Sequence, residues 1–134
     1  MKTYIFCILL TCLITGCGKT GGGSSSTPTQ EASLVFTTNP DPGTSVYAAL
    51  SSSQDISISI TSAFPAAGVT ADILVTKDAD NSTVFSQSLT NTTPSFIVTI
   101  QNLSNGALCT VVITLTSKSS VSNKVSKTFK IAKK

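Results

Sequence analysis

The feature that most constrains the fold of this chain is a strict alternation of apolar and polar residues between Ile56 and Thr61. Three isoleucines alternate there with two serines and a threonine. Since successive side chains of a β-strand point to opposite faces, the isoleucines would face a core and the hydroxyls would face water. Later segments repeat this period, whereas no segment after residue 31 has a helical one. The alternation predicts these inward-facing residues: Ile56, Ile58, Ile60, Ile73, Val75, Phe96, Val98, Ile100, Cys109, Val111, Ile113 and Leu115.

Turn-forming residues separate the alternating segments. They cluster at residues 39–43, 64–68, 78–81 and 105–106. About seven short strands with turns at this spacing predict an all-β fold, either a sandwich or a small barrel, rather than a parallel sheet. The chain has 134 residues, of which 40% are hydrophobic, and this suffices for one domain with a buried core. We place that domain at residues 31–134.

The amino end has the pattern of a secretory signal. A positive start at Lys2 is followed by a mostly apolar stretch of about a dozen residues and then by the small residue Gly16. A membrane-spanning helix needs about 20 apolar residues, and polar sequence already begins at Gly18. We therefore expect residues 1–16 to be a signal peptide that is removed.

The predicted signal ends in Leu13-Ile14-Thr15-Gly16-Cys17, which resembles the lipobox of bacterial lipoproteins. The resemblance implies that the lipoprotein signal peptidase reads Leu13, Ile14, Thr15 and Gly16, and that Cys17 becomes the diacylated and then N-acylated first residue. Each buried methylene contributes roughly 0.8 kcal/mol, so several acyl chains give stable anchorage to a bilayer. The alternatives are an ordinary signal with a coincidental cysteine and an apolar segment that is not cleaved.

The resemblance to a lipobox also implies a role for each of the four cysteines. Cys7 and Cys12 would leave with the signal, and Cys17 would carry lipid. Cys109 would remain as a free thiol, so the mature chain would have no intrachain disulfide.

Residues 17–30 begin with the lipidated cysteine and continue as GKTGGGSSSTPTQ. This segment has no periodicity and no large apolar side chain, and its Gly/Ser composition is typical of a disordered, flexible tether. As a random coil it would hold the domain on the order of 20 Å from the membrane.

A short motif near the carboxyl end indicates the fold more closely. Residues 103–113 resemble the corner before the sixth strand of a fibronectin type III domain, where the pattern is Leu-x-Pro-Gly-Thr-x-Tyr-x-Val-x-Val. The resemblance implies an immunoglobulin-like, antiparallel two-sheet β-sandwich, covers most of residues 45–132, and makes residues 122–129 the last strand. The tryptophan usual on the second strand of the family is absent. Leu103, Gly106, Val111 and Ile113 match the motif, whereas Asn105, Ala107 and Cys109 replace its proline, threonine and tyrosine.

Two expectations at this corner follow from the resemblance. Asn105-Gly106 is locally a hairpin signal, but the family has an arch between the two sheets there, and we expect the arch. Cys109 stands where the tyrosine hydroxyl would be, and the alternation directs it inward. We expect it to be a small apolar filler, and the alternative is a reactive thiol.

Two charged regions are candidate sites. Asp78, Asp80 and Asn81 offer the oxygen ligands of a calcium loop but lack the glycine and distal glutamate of an EF-hand, so we expect a hairpin turn. A lysine-rich carboxyl end follows, with no acidic residue after Asp80. It could bind anionic headgroups or an acidic partner, but we favour lysines that protect a final edge strand from aggregation, with Lys127 on the same strand face as Val125 and Phe129. The lysines of this region are Lys118, Lys124, Lys127, Lys130, Lys133 and Lys134.

Composition narrows the function. The chain has no histidine and no arginine, and only one glutamate, so we expect no enzyme activity, no cofactor and no metal site. We expect no nucleic-acid binding either, because arginine and an aromatic platform are absent.

The sequence as a whole predicts a membrane-anchored lipoprotein that presents a non-catalytic β-sandwich. Its partners would be the bilayer, through acylated Cys17, and an unknown envelope or extracellular protein that it binds, adheres to or assists. The alternatives are a structural envelope lipoprotein without a specific ligand and a glycan-binding module. Gly18 is not the aspartate that retains similar lipoproteins in the inner membrane, so we expect the outer membrane if the cell is Gram-negative. The side of the membrane stays open.

Overall fold

The computed structural model describes residues 30–134, which form eight β-strands in two sheets. No helix in this range is long and apolar enough to cross a membrane. The strands are β1 (Phe36–Asn39), β2 (Val46–Ala49), β3 (Gln54–Ile60), β4 (Val69–Lys77), β5 (Thr83–Asn91), β6 (Ser95–Ile100), β7 (Leu108–Ser117) and β8 (Lys124–Lys133).

The two sheets pack as a β-sandwich around one apolar core. Ile58 of the three-stranded sheet and Ile113 and Ile131 of the five-stranded sheet are completely buried in the same cluster. All the residues predicted to face inward are buried except Phe96, which is half-buried against the core. The prediction is confirmed because the strand period of two assigns a face to each residue without reference to its neighbours.

The strand order joins residues that are distant in the chain. One sheet has the order β1-β3-β6 and the other has the order β2-β8-β7-β4-β5. All neighbouring strands are antiparallel except β2 and β8, which are parallel. The eight strands agree with the prediction of about seven. β1 and β2 are separate strands because the chain leaves the first sheet after β1 and joins the second as β2. Pro40 and Pro42 lie in the connection, where a residue without an N–H group cannot continue a ladder.

The two connections that the sequence left open are now defined. β4 and β5 form an antiparallel hairpin across residues 78–82, as predicted for the Asp78-Asp80 segment. The Asn105-Gly106 segment is an arch, since β6 and β7 belong to different sheets. Gly106 has a φ of 68°, and its N–H donates to the carbonyl of Lys133 over 3.0 Å. The expectation taken from the family is therefore confirmed over the local hairpin signal.

The prediction that β8 is an edge strand is wrong for its last part only, since Lys124 to Phe129 have a paired neighbour in β7 alone. β8 lies between β2 and β7, and β2 pairs with its last part, Lys130 to Lys133. The alternation within β8 is as predicted, with Val125, Lys127 and Phe129 on the less exposed face. The error arose because β2 pairs with residues more than eighty positions away, and no local pattern reports such pairing.

Candidate functional site

The predicted lipidation site lies outside the residues that the structure describes. This applies to Leu13, Ile14, Thr15 and Gly16 as well as to Cys17, so their roles stay predictions. The described part of the chain contributes the domain that such an anchor would hold.

A polar clamp fixes the beginning of the described chain. The Asn123 side chain accepts a hydrogen bond from the Leu34 N–H over 2.8 Å and donates to the carbonyl of Ala32 over 2.9 Å. It also donates to one carboxylate oxygen of Glu31 over 3.0 Å, and the Ser117 hydroxyl donates to the other over 2.8 Å. The segment that follows the predicted tether is thus tied to the β7–β8 connection.

A shallow polar groove of about 570 Å³ surrounds this clamp, lined by residues 30–34 and 119–125. The sequence reasoning missed the clamp. Ser117 is 1% exposed, but in the sequence it is one serine among many. Its partner Glu31 is 86 residues away, and the only local signal was that Glu31 is the sole glutamate.

The aspartates of the β4–β5 turn have partners within the protein. Lys130 Nζ lies 2.5 Å from one Asp78 oxygen, and the Thr110 hydroxyl donates to the other over 2.6 Å. The hydrogen bond from Lys130 and, as a smaller contribution, the one from Thr110 lower the pKa of Asp78. The Ser82 N–H donates to Asp80 over 2.9 Å, and hydrogen bonds from the Ser82 side chain and backbone lower the pKa of Asp80.

These bonds are typical of a turn, not of a cation loop. Asn81 adopts a φ of 57°, which asparagine tolerates better than most residues. No group of three potential metal-ligating side chains occurs among residues 30–134.

The lysines of the carboxyl end do not form one uniform basic patch. Lys127 pairs with Asp41 at 2.5 Å, and Lys130 pairs with Asp78. The hydrogen bond from Lys127 is the main reason that the pKa of Asp41 is lowered. Lys127 therefore holds the β1–β2 connection in place, and Lys130 holds the β4–β5 turn. The edge-strand interpretation did not anticipate this role.

Cys109 is buried, as predicted. Its side chain is 1% exposed, and its sulfur lies 3.9 Å from the Ala107 carbonyl oxygen. Burial raises the pKa of the thiol, and the negative charge of Asp78 raises it further. A reactive cysteine needs a lowered pKa and some exposure, so this environment favours the apolar filler over the reactive thiol.

Strands β5 and β6 differ in charge from the lysine-bearing strand β8. The chain has no charged residue from position 81 to position 117, and this range contains both strands. A groove of about 510 Å³ runs between them, with Phe85 and Val98 among its lining residues. Ile97 beside it is 64% exposed.

Comparison with known proteins adds no family. No protein-family model matches the chain, and no curated protein matches it. The fold and the geometry above are therefore the basis for a functional argument.

Proposed function

We propose that this chain is a bacterial lipoprotein whose signal peptide, residues 1–16, is removed and whose Cys17 is acylated. Residues 18–30 then act as a tether, and residues 31–134 are a non-catalytic, immunoglobulin-like binding module of the fibronectin type III kind. The module binds an envelope or extracellular protein. The observation that carries the proposal is the lipobox-like Leu13-Ile14-Thr15-Gly16-Cys17 at the end of a signal-like segment.

Two features of the fold support the immunoglobulin-like part. The order β8-β7-β4-β5 corresponds to the G-F-C-C′ order of immunoglobulin-like sheets, with β1, β3 and β6 in the opposite sheet. The arch before β7 falls where the family has one, and Leu103 of the matching motif is 3% exposed. Cys109 in place of the corner tyrosine is the departure, since a thiol cannot make the hydrogen bond of that corner.

The side-chain chemistry of the domain supports a binding role over catalysis. With no histidine in the chain, a general base would be a carboxylate or a lysine. Asp41 and Asp78 are bound to lysines, and Asp80 is bound to its own turn. Cys109, the one nucleophilic thiol of the domain, is buried.

The decisive experiment compares Cys17→Ser with Cys12→Ser in the full chain, using metabolic labelling with an alkyne fatty acid and mass spectrometry of the amino terminus. We expect the wild type and Cys12→Ser to incorporate label and to begin at residue 17, because residue 12 leaves with the signal. We expect Cys17→Ser to lose the label and to keep its leader. An unlabelled wild type, or a wild type with an intact leader, would contradict the proposal.

A further inference from the structure

The four edge strands of the sandwich differ in how well they are protected. β1 and β6 are the edges of one sheet, and β2 and β5 are the edges of the other. β1 and β2 have four residues each, and short edges offer little backbone for pairing with another chain. β5 has nine residues, and within residues 30–134 only β4 pairs with it. A long row of its backbone N–H and C=O groups therefore lies open.

β5 also lacks most of the devices that usually block such an edge. Its sequence, TVFSQSLTN, has no proline and no charged residue, whereas natural edges are often blocked by lysine, proline or a bulge. One bulge is present, between the pairs that Val75 and Thr76 form with β5. It affects the first end of the strand only, and residues 85–89 pair regularly with β4.

The sequence of β5 is a chemical palindrome centred on Gln87. On either side of Gln87 stand a serine, then a large apolar residue, then a β-branched residue, and finally a small polar residue at each end of the strand. A two-fold interface brings the same patch of each copy together, so it requires such self-complementarity. An unrelated partner strand would not require it, which is why the palindrome favours a second copy as the occupant.

We propose that β5 pairs antiparallel with β5 of a second copy of this chain about a two-fold axis at Gln87. The pairing joins the two five-stranded sheets into one sheet of ten strands. Phe85 of each copy lies opposite Leu89 of the other, and Ser86 lies opposite Ser88. Aromatic–aliphatic and hydroxyl pairs of this kind stabilise antiparallel strands.

The surroundings of β5 suit this occupant. Phe85 and Leu89 are half-buried against the core of their own domain, so pairing would cover the rest of their apolar surface. Gln87, Ser86 and Ser88 are exposed. The Ser88 hydroxyl donates to Asp72 of its own domain over 2.6 Å, so in the pair it can accept a hydrogen bond from Ser86 of the other copy. The adjacent groove is lined by uncharged residues, so two copies meet without like-charge repulsion. The inference concerns the surface of the domain and is independent of the acylation of Cys17.

The test is a charge exchange at Gln87 in full-length chains that carry two different tags, co-expressed and purified in a large excess of detergent micelles. We expect wild-type copies to co-purify and Gln87→Lys copies to lose roughly tenfold or more of that association, because like charges would lie opposite each other. Gln87→Glu copies should lose it equally. Co-expression of Gln87→Lys with Gln87→Glu should restore it, since opposite charges would then meet.

Two controls make the result specific. Thr128→Lys adds the same charge at an exposed position of β8 and should co-purify like the wild type. Unchanged far-ultraviolet circular dichroism spectra and cooperative melting would show that the Gln87 variants fold, even where the loss of association lowers the melting temperature. The proposal is overturned if wild-type copies do not co-purify, if Gln87→Lys copies still do, or if the mixed pair is not restored.

A cysteine at the axis tests the register. Opposite residues of an antiparallel pair have Cα atoms about 4.5–5.5 Å apart, within the range of a disulfide. Purified full-length Gln87→Cys should therefore form a disulfide-linked dimer when it is treated with a mild oxidant such as oxidised glutathione. Ser88→Cys, which would face Ser86 of the other copy, should form much less of it. Equal crosslinking of both variants, or crosslinking of Gln87→Cys to a different protein, would refute the two-fold pairing.

Discussion

At the scale of single residues, Gly68 shows how closely the connection into β4 approaches the end of β5. It has a φ of 83°, and a Cβ atom built on it would lie 2.4 Å from the Asn91 carbonyl oxygen. Its N–H donates to the Pro65 carbonyl, and its own carbonyl accepts from the Lys118 N–H. The backbone of Gly68 is thus held on two sides and has no room for a side chain.

Gly106 provides a matched control for Gly68. Its φ of 68° is also positive, but nothing lies within 4 Å of a Cβ atom built there. We expect Gly106→Ala to cost roughly 1–2 kcal/mol of stability through the backbone conformation alone. Gly68→Ala should cost about 1–3 kcal/mol more, because the added methyl overpacks against rigid backbone. Urea unfolding of both variants measures the difference, and equal costs would show that the close approach at Asn91 relaxes freely.

At the scale of elements, the Asn123 clamp explains how the first described residues are held. Residues 31–34 precede β1 and belong to no strand, yet Leu34 is 4% exposed. The Asn123 amide donates two hydrogen bonds and accepts one, and these three take the place of the ladder that a strand would provide. A chain entering from a membrane tether would meet this clamp before it meets the sheet.

Removal of the clamp should free that segment selectively. In Asn123→Ala the Leu34 N–H loses its acceptor, and we expect its hydrogen exchange to accelerate roughly tenfold or more, with a global cost of about 1–3 kcal/mol. Ser122→Ala, one residue earlier and exposed, should leave the exchange unchanged. If Leu34 exchanges equally slowly in both variants, another contact holds the segment.

At the scale of the whole molecule, charge is distributed unequally among the strands of the sandwich. Strands β5 and β6 contain no charged residue, whereas β8 bears two ion pairs that hold the loops containing Asp41 and Asp78. The ion pairs on β8 therefore make the stability of the domain depend on pH.

The sign of that dependence follows from the lowered pKa of Asp78, whose ordinary value is 3.8. A carboxyl group with a lowered folded-state pKa stabilises the fold above its ordinary pKa, and this contribution is lost as the pH falls through the folded value. We expect Asp78→Asn to melt below the wild type at pH 7 and the two curves to converge below about pH 3.8. Lys124→Met, which removes a β8 lysine without an ion pair to any described residue, should leave the pH dependence unchanged. A gap in melting temperature that is the same at all pH values would show that the Asp78 charge is not involved.

Much of the fold could be predicted because its signals are local. Ile73 and Val75 of β4 are buried as predicted, and the buried residues of β7 were all predicted except Ser117. The pairing of β2 with β8 could not be predicted in this way, because the two strands are more than eighty residues apart in the chain. Nor could the Asn123 clamp, because its partners are separated by about ninety residues and no periodicity connects them.

The same distinction between local and long-range signals applies to the candidate sites. The sequence by itself determined the lipobox-like Cys17 motif, the inward faces of the strands and the turn at Asp78, because each depends on residues adjacent in the chain. Only the tertiary structure decided that β2 covers the last part of β8, that Lys130 neutralises Asp78, and that β5 is the long open edge. The physical reason is that strand pairing and ion pairing are made between distant segments, whose partners are selected by the packing of the whole core.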